Sequence, residues 1–168
     1  MTLNEFNTLP DAQVRGELLR CCGSRRWALE MSAHRPYTNF NELIDAAEKF
    51  WTSLSPNDRR EAFSHHPRIG DIKSLRKKFA GTAQWAKGEQ AGVDDASERT
   101  LKALAEGNRL YEAKFGYIFI VCATGKTAEE MLGMLNARLN NIPTQEITVA
   151  AGEQSKITVI RLTKLLEQ

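Results

Sequence analysis

Two adjacent histidines carry the strongest chemical signal in this chain. They lie in the stretch Ser64-His65-His66-Pro67-Arg68-Ile69-Gly70, where Pro67 must end the preceding helix and Gly70 indicates a turn. Such a junction can hold an imidazole on rigid backbone, and histidine is the side chain whose ordinary pKa, about 6.5, lies near working pH. The stretch therefore predicts acid–base chemistry. A histidine that merely ends a helix fits the same pattern, and the residues alone do not choose between His65 and His66.

Two further stretches contain polar groups suited to a small molecule. In Trp85-Ala86-Lys87-Gly88-Glu89-Gln90, a carboxylate and an amide stand side by side in a turn near a tryptophan. Arg161 is flanked by apolar residues within 157–162. If Ile157 and Ile160 face the core, Arg161 lies at or beside the buried stripe, where a charge requires a partner or an anionic ligand. The alternative interpretations are an exposed polar loop for the first stretch and an arginine that reaches solvent for the second.

Composition and motifs argue against several other classes of function. The chain has 23 basic and 21 acidic side chains, a balance that argues against nucleic acid or an anionic membrane as a partner. Its three cysteines show no zinc-ligand spacing, so no metal site is predicted. No apolar run reaches the roughly 18–20 residues of a membrane span, and the first residues do not resemble a signal peptide. We therefore expect a cytoplasmic protein.

The elements that must position these groups are helices. At 168 residues the chain is about one domain long, and apolar side chains recur at helical spacing in most of it. The sequence therefore predicts one all-α domain, residues 1–168, built as a bundle of about eight helices. The expected helices cover 8–22, 25–31, 41–54, 55–66, 72–79, 95–115, a segment that begins at Thr127, and 144–166 with a break near Gly152. Three of their starts have local signals: Ser55 suits a cap with Pro56 and Asp58 in the first turn, Asp71 suits the cap of 72–79, and Thr127 with Glu130 fits a capping box.

One segment departs from the helical pattern. Residues 117–122 are aromatic and β-branched, a composition typical of a strand, but no second run of this kind exists to pair with them. We therefore expect an extended, buried connector near 117–123.

Five blocks, in order along the chain, resemble those of one family, the decarboxylases of 2-oxo-4-hydroxy-4-carboxy-5-ureidoimidazoline (OHCU). The resemblance extends from about residue 9 to residue 162. It implies an all-helical, cofactor-independent enzyme, usually a homodimer, that converts OHCU to (S)-allantoin in the last step of urate oxidation. The blocks are Phe63-Ser64-His65-His66-Pro67-Arg68-Ile69-Gly70, Glu89-Gln90, Tyr111-Glu112-Ala113-Lys114-Phe115-Gly116-Tyr117-Ile118-Phe119-Ile120, Arg138-Leu139-Asn140-Asn141, and Glu153-Gln154-Ser155-Lys156-Ile157 followed by Arg161-Leu162.

The resemblance also implies roles for individual residues. It selects His66, directly before proline, as the catalytic histidine, Glu89, before glutamine, as the catalytic glutamate, and Arg161, before leucine, as the active-site arginine. Ala86 stands where many members have serine, so a hydroxyl contact is lost there or supplied by Thr82, Gln84 or water. The substrate-binding residues that it implies are Pro67, Ala86, Gln90, Val121, Cys122, Ala123, Thr124 and Gly125.

Three other functions stay open from the sequence. They are an enzyme that acts on a related ureide or imidazolinone, a non-catalytic helical interaction module, and a nucleic-acid-binding helical domain. The retained triad of His66, Glu89 and Arg161 argues against the interaction module, and the near-zero net charge argues against nucleic acid. The nucleic-acid hypothesis would use the basic residues Arg59, Arg60, Lys73, Arg76, Lys77 and Lys78.

Overall fold

Helices account for all the regular secondary structure in the described part of the chain. The computed structural model describes residues 1–68, 70–79 and 90–166, the side chains of 90–96 excepted. These residues contain nine α-helices and no β-strand, so the predicted all-α class is confirmed. The helices are α1 Leu3–Thr8, α2 Asp11–Cys21, α3 Arg25–Ala33, α4 Phe40–Thr52, α5 Pro56–Ser64, α6 Ile72–Phe79, α7 Gln90–Phe115, α8 Ala128–Arg138 and α9 Pro143–Leu166.

The helix that the sequence did not predict is α1. Thr2 and Glu5 form a capping box at its start, in which each side chain bonds the backbone N–H of the other. Its six residues span less than two turns, so apolar periodicity has no room to appear.

No described helix is long and apolar enough to cross a membrane.

The chain forms two compact units. The first comprises Met1–His66 and Ile147–Gln168, and the second comprises Pro67–Glu146. In the first unit, α3 packs against α2, α4 and α5. The indole N–H of Trp27 donates to the Ala47 carbonyl at 3.0 Å, and that of Trp51 donates to the Ala151 carbonyl at 2.9 Å. The second bond fixes α9 against α4, and α9 carries several of the residues of interest.

Helix α5 ends where the histidine pair begins. Ser55 caps its start, and Pro56 and Asp58 occupy its first turn, as the sequence predicts. The structure adds that Ser55 and Asp58 form a capping box. His65 is the residue that caps its carboxyl end. A Cβ atom at Gly23 would overlap the His65 side chain, so only glycine allows the backbone after α2 to approach His65 this closely.

In the second unit, α7 packs against α6 and α8. A Cβ atom at Gly107 would lie 2.5 Å from Leu135 Cδ2, so this glycine allows α7 and α8 to approach each other closely. The predicted cap of α6 is confirmed, because Asp71 Oδ1 accepts the backbone N–H groups of Lys73 and Ser74, each at 3.0 Å. Helix α7 begins before the predicted residue 95, since its first residues lack the apolar periodicity on which the prediction depended.

The predicted connector is present between α7 and α8. Gly116, with φ of +80°, ends α7, and its N–H bonds the Glu112 carbonyl. Residues 117–123 belong to no helix or strand, and Tyr117, Ile120 and Cys122 are buried. A turn then follows at Gly125, with φ of +74°, before the capping box of Thr127 starts α8.

The predicted break of the last helix near Gly152 is wrong. Helix α9 continues without interruption through this residue, which is exposed. A glycine inside a helix costs about 0.8–1.0 kcal/mol relative to alanine, a cost that burial of the neighbouring Ala150, Ala151 and Gln154 offsets.

Candidate active site

The structure distinguishes the two adjacent histidines. His65 is exposed, whereas His66 is half-buried. The His66 Nε2 atom forms a hydrogen bond with Gln154 Oε1 of α9, a residue 88 positions away in the chain. His66 is therefore the histidine of the pair that is held by an interior polar group.

The partner of His66 belongs to a chain of buried polar side chains. Gln154 is fully buried, and its amide nitrogen donates to Thr158 Oγ1 at 3.1 Å. Thr158 is also buried. Burial raises the pKa of the Cys22 thiol to about 11, against an opposing effect of the Thr158 hydroxyl, so Cys22 stays protonated near neutral pH. His66, Gln154 and Thr158 form one continuous hydrogen-bonded series inside the first unit.

Arg161 lies on the same helix, beside this series. Its Nη1 atom lies 3.4 Å from the Arg20 carbonyl and 3.3 Å from the Cys21 carbonyl, at the end of α2. Arg161 is half-buried, so its guanidinium caps that helix end and keeps a surface for other contacts. The buried stripe beside it differs from the one expected, because Ile157 and Ile160 are only partly buried. The stripe contains Ala151, Gln154, Thr158 and Leu162 instead.

The surroundings of His66 favour its neutral form. Burial lowers the pKa of His66, and the positive charges of Arg161 and His65 lower it further. The hydrogen bond to Gln154 opposes these effects without cancelling them. A neutral imidazole is able to accept a proton, so this environment suits a general base. Within the described residues, no three His, Cys, Asp or Glu side chains are grouped as a metal ion would require.

In the second unit, a buried ion pair holds the connector. Arg138 Nη2 lies 2.5 Å from Glu146 Oε1, and Arg138 Nη1 donates to the Ile120 carbonyl at 2.7 Å. The guanidinium also lies 4.5 Å from the centre of the Phe119 ring. Tyr111 donates its hydroxyl to Glu146 at 2.5 Å. The backbone just before residue 121 is therefore fixed by interior contacts.

The predicted substrate-binding residues of the connector follow this fixed point. Val121 and Ala123 are half-buried, Cys122 is buried, and Thr124 and Gly125 are exposed in the turn. The Lys126 ammonium donates to the Cys122 carbonyl at 2.8 Å and tightens this turn. Residues 121–125 thus extend from backbone that interior contacts fix to an exposed turn.

Other predicted site residues fall outside what the structure describes or show little. Ala86 and Glu89 lie outside the described residues, as do Thr82 and Gln84. Gln90 is the first residue of α7, and its side chain is not among those described. Pro67 is exposed directly after His66. The roles of all these residues stay predictions.

Sequence reasoning named no role for Gln154, Thr158 or Glu146. Gln154 stands in one of the five blocks, and Gln154 and Thr158 are four residues apart, the spacing that places two side chains on one helix face. A search for buried stripes that counts only apolar residues misses them. The spacing was the available signal, although it does not reveal which residue of another helix lies opposite.

The fold and the histidine site define an all-helical protein suited to acid–base chemistry, and known proteins show which family it belongs to. The family model of OHCU decarboxylase matches residues 7–163. The chain is 40% identical over 147 residues to the Arabidopsis thaliana uric acid degradation bifunctional protein TTL. That match covers 86% of this chain and 45% of the relative, so the chain spans less than half of the relative's length.

Two further matches agree. The chain is 31% identical over 135 residues to the OHCU decarboxylase of Amia calva, covering 79% of this chain and 75% of that protein. A crystal structure of OHCU decarboxylase in the presence of (S)-allantoin superposes with a TM-score of 0.72 at 40% identity, covering 90% of this chain and 98% of the other. The chain therefore belongs to the OHCU decarboxylase family. The predicted family is confirmed, and the named relatives include decarboxylases, the enzyme class that the sequence predicts.

Proposed function

We propose that this chain decarboxylates OHCU to (S)-allantoin without a cofactor. The observation that carries the proposal is the family match over residues 7–163 together with a half-buried His66 bonded to Gln154. A solved relative of 40% identity whose structure was determined with (S)-allantoin supports the choice of product.

The reaction requires three proton transfers in addition to the loss of carbon dioxide. Loss of carbon dioxide breaks the bond between the carboxylate and the ring carbon that also carries a hydroxyl. The electron pair passes into the adjacent C=N bond, whose nitrogen takes up a proton. The hydroxyl then loses its proton as it becomes a ring carbonyl, and a proton is added to the neighbouring ring carbon from one face. Two protons are added and one is released, so solvent supplies the net proton.

Each proposed catalytic residue has a part in this chemistry. His66 engages the substrate hydroxyl and relays its proton, a role that its neutral form allows. Arg161 binds substrate oxygens and offsets the negative charge that develops when carbon dioxide leaves. Glu89 orients the ring or ureido nitrogens by accepting hydrogen bonds. Pro67, Ala86, Gln90 and residues 121–125 are proposed as substrate contacts.

We also propose that residues 1–168 act as one domain, in a homodimer, in the cytoplasm, with OHCU as the small-molecule partner. The resemblance to the family supports the dimer and the single domain. Sedimentation equilibrium of the purified chain tests the dimer directly.

Circular dichroism of freshly generated OHCU tests the proposed activity. Urate, urate oxidase and hydroxyisourate hydrolase supply the substrate in the cuvette. We expect the protein to convert the transient OHCU signal rapidly into the persistent signal of (S)-allantoin. Decay at the spontaneous rate in the presence of folded protein would contradict the proposal, and assays on related ureides would then be the next step.

The activity should also persist to lower pH than an ordinary histidine allows. Burial holds the pKa of His66 below its ordinary value of 6.5, so the neutral base survives below that pH and is lost only as the pH falls through the lowered pKa. We expect the acid limb of kcat/KM, which reports the free enzyme, to have its midpoint below 6.5. A pH profile of the dichroism assay measures it.

Lys156→Met is a matched control for this profile. It removes a charge from the exposed face of α9, where the Lys156 ammonium bonds Glu153 at 2.6 Å. The midpoint should not move in this variant. A wild-type midpoint above 6.5 would show that the charged imidazole is the favoured form, against the geometry of its surroundings.

A further inference from the structure

We infer that Gln154 and Thr158 are positioning residues that keep a proton on His66 Nε2 and so make Nδ1 the nitrogen that exchanges protons with substrate. The tautomer is a property of the free protein, and only the use of Nδ1 in catalysis rests on the proposed function.

The first step of the argument concerns the orientation of the Gln154 amide. Its nitrogen donates to Thr158 Oγ1 at 3.1 Å, so its oxygen is the atom that meets His66 Nε2. An amide oxygen accepts hydrogen bonds and cannot donate. His66 Nε2 must therefore carry the hydrogen of this bond.

The second step concerns the hydroxyl that receives the amide. Thr158 is buried, and its Oγ1 atom accepts the hydrogen bond from the Gln154 amide nitrogen. Turning the amide over would remove this bond and place the amide N–H groups against His66 Nε2. The two donors of the series therefore point the same way, from His66 to Gln154 and from Gln154 to Thr158.

The third step connects the tautomer to chemistry. A neutral imidazole with its hydrogen on Nε2 has its lone pair on Nδ1. When Nδ1 takes a proton, Nε2 keeps its own hydrogen, so the bond to Gln154 survives in both states. The ring therefore gains and loses a proton without rearranging its buried partner, and little reorganisation opposes the transfer.

Nitrogen-15 NMR of the histidine-labelled protein tests the tautomer. Long-range proton–nitrogen spectra distinguish the two ring nitrogens, and the signals that disappear in His66→Gln identify His66. We expect the free wild-type protein, at a pH where His66 is neutral, to show the hydrogen on Nε2. A hydrogen on Nδ1 would overturn the inference, whether or not the protein decarboxylates OHCU.

Two variants test the positioning role. Thr158→Val removes the acceptor that orients the amide, so we expect the His66 signals to shift towards the Nδ1–H form. We expect kcat to fall by roughly tenfold, less than the ~10²–10⁴-fold cost of removing an acid–base group. Gln154→Glu retains an acceptor oxygen and should keep the Nε2–H form, which separates positioning from a general loss of fold.

Thr163→Val is the matched control. It makes the same substitution on the same helix, at a hydroxyl that donates back to the Val159 carbonyl at 2.9 Å. Both the tautomer and kcat should stay at wild-type values. If Thr158→Val also leaves the His66 signals unchanged, Thr158 does not orient the amide and the inference fails. If OHCU is not a substrate, the NMR result still decides the tautomer.

Discussion

His66→Ala is expected to lower kcat for OHCU decarboxylation by about 10²–10⁴-fold, the usual cost of removing a positioned acid–base group. The side chain is half-buried and bonded to Gln154, and its environment favours the neutral form that accepts a proton. Its loss leaves the Gln154 oxygen without this partner, at a cost of about 1–3 kcal/mol in the free energy of unfolding. The dichroism assay gives kcat, and denaturant unfolding verifies that the variant is folded.

His65→Ala is the matched control for this prediction. His65 is exposed and lies over Gly23, so its removal takes away a surface contact rather than an acid–base group. We expect kcat to stay close to the wild-type value. Should His65→Ala be inactive and His66→Ala active, the assignment of the histidine from its position before proline is wrong.

Local signals in the sequence located most helix boundaries. The Ser55-Pro56-Asn57-Asp58 start of α5, the Asp71 cap of α6 and the Thr127 capping box of α8 were all read correctly, because each depends on residues within one turn. The extended connector was also predicted, since its composition conflicts with its surroundings. Helix α1 and the continuity of α9 at Gly152 were not, because short length and tertiary packing override periodicity there.

The candidate site also contains residues that the sequence identifies and residues that only the tertiary structure reveals. Residue type and neighbouring residues singled out the histidine pair and Arg161, and the family resemblance selected His66. The partners of these residues depend instead on contacts between distant parts of the chain. Gln154 meets His66 across 88 positions, and Arg161 reaches the Cys21 carbonyl across 140. A pattern of apolar residues does not reveal which polar residues lie on a buried helix face, because that depends on the element packed against the face.

Breaking the buried pair of Arg138 and Glu146 is expected to have the largest effect on stability. Their side chains are 6% and 0% exposed, and Tyr111 and Asn141 complete the hydrogen bonds of the carboxylate. Arg138→Met leaves a buried negative charge without its cation and leaves the Ile120 carbonyl without this donor. Removing one partner of such a pair typically costs 3–5 kcal/mol. Denaturant unfolding of the variant measures the loss.

Two comparisons show whether the loss comes from the unpaired charge. Arg76→Met breaks an exposed pair with Glu98 in the same unit and should change the free energy of unfolding little. The double variant Arg138→Met with Glu146→Gln removes both charges and should recover part of the stability lost in Arg138→Met. If Arg138→Met lowers the free energy of unfolding no more than Arg76→Met does, the pair does not anchor the connector.

If the pair does anchor the connector, the KM for OHCU should rise in the double variant, because residues 121–125 follow the Ile120 carbonyl that Arg138 holds.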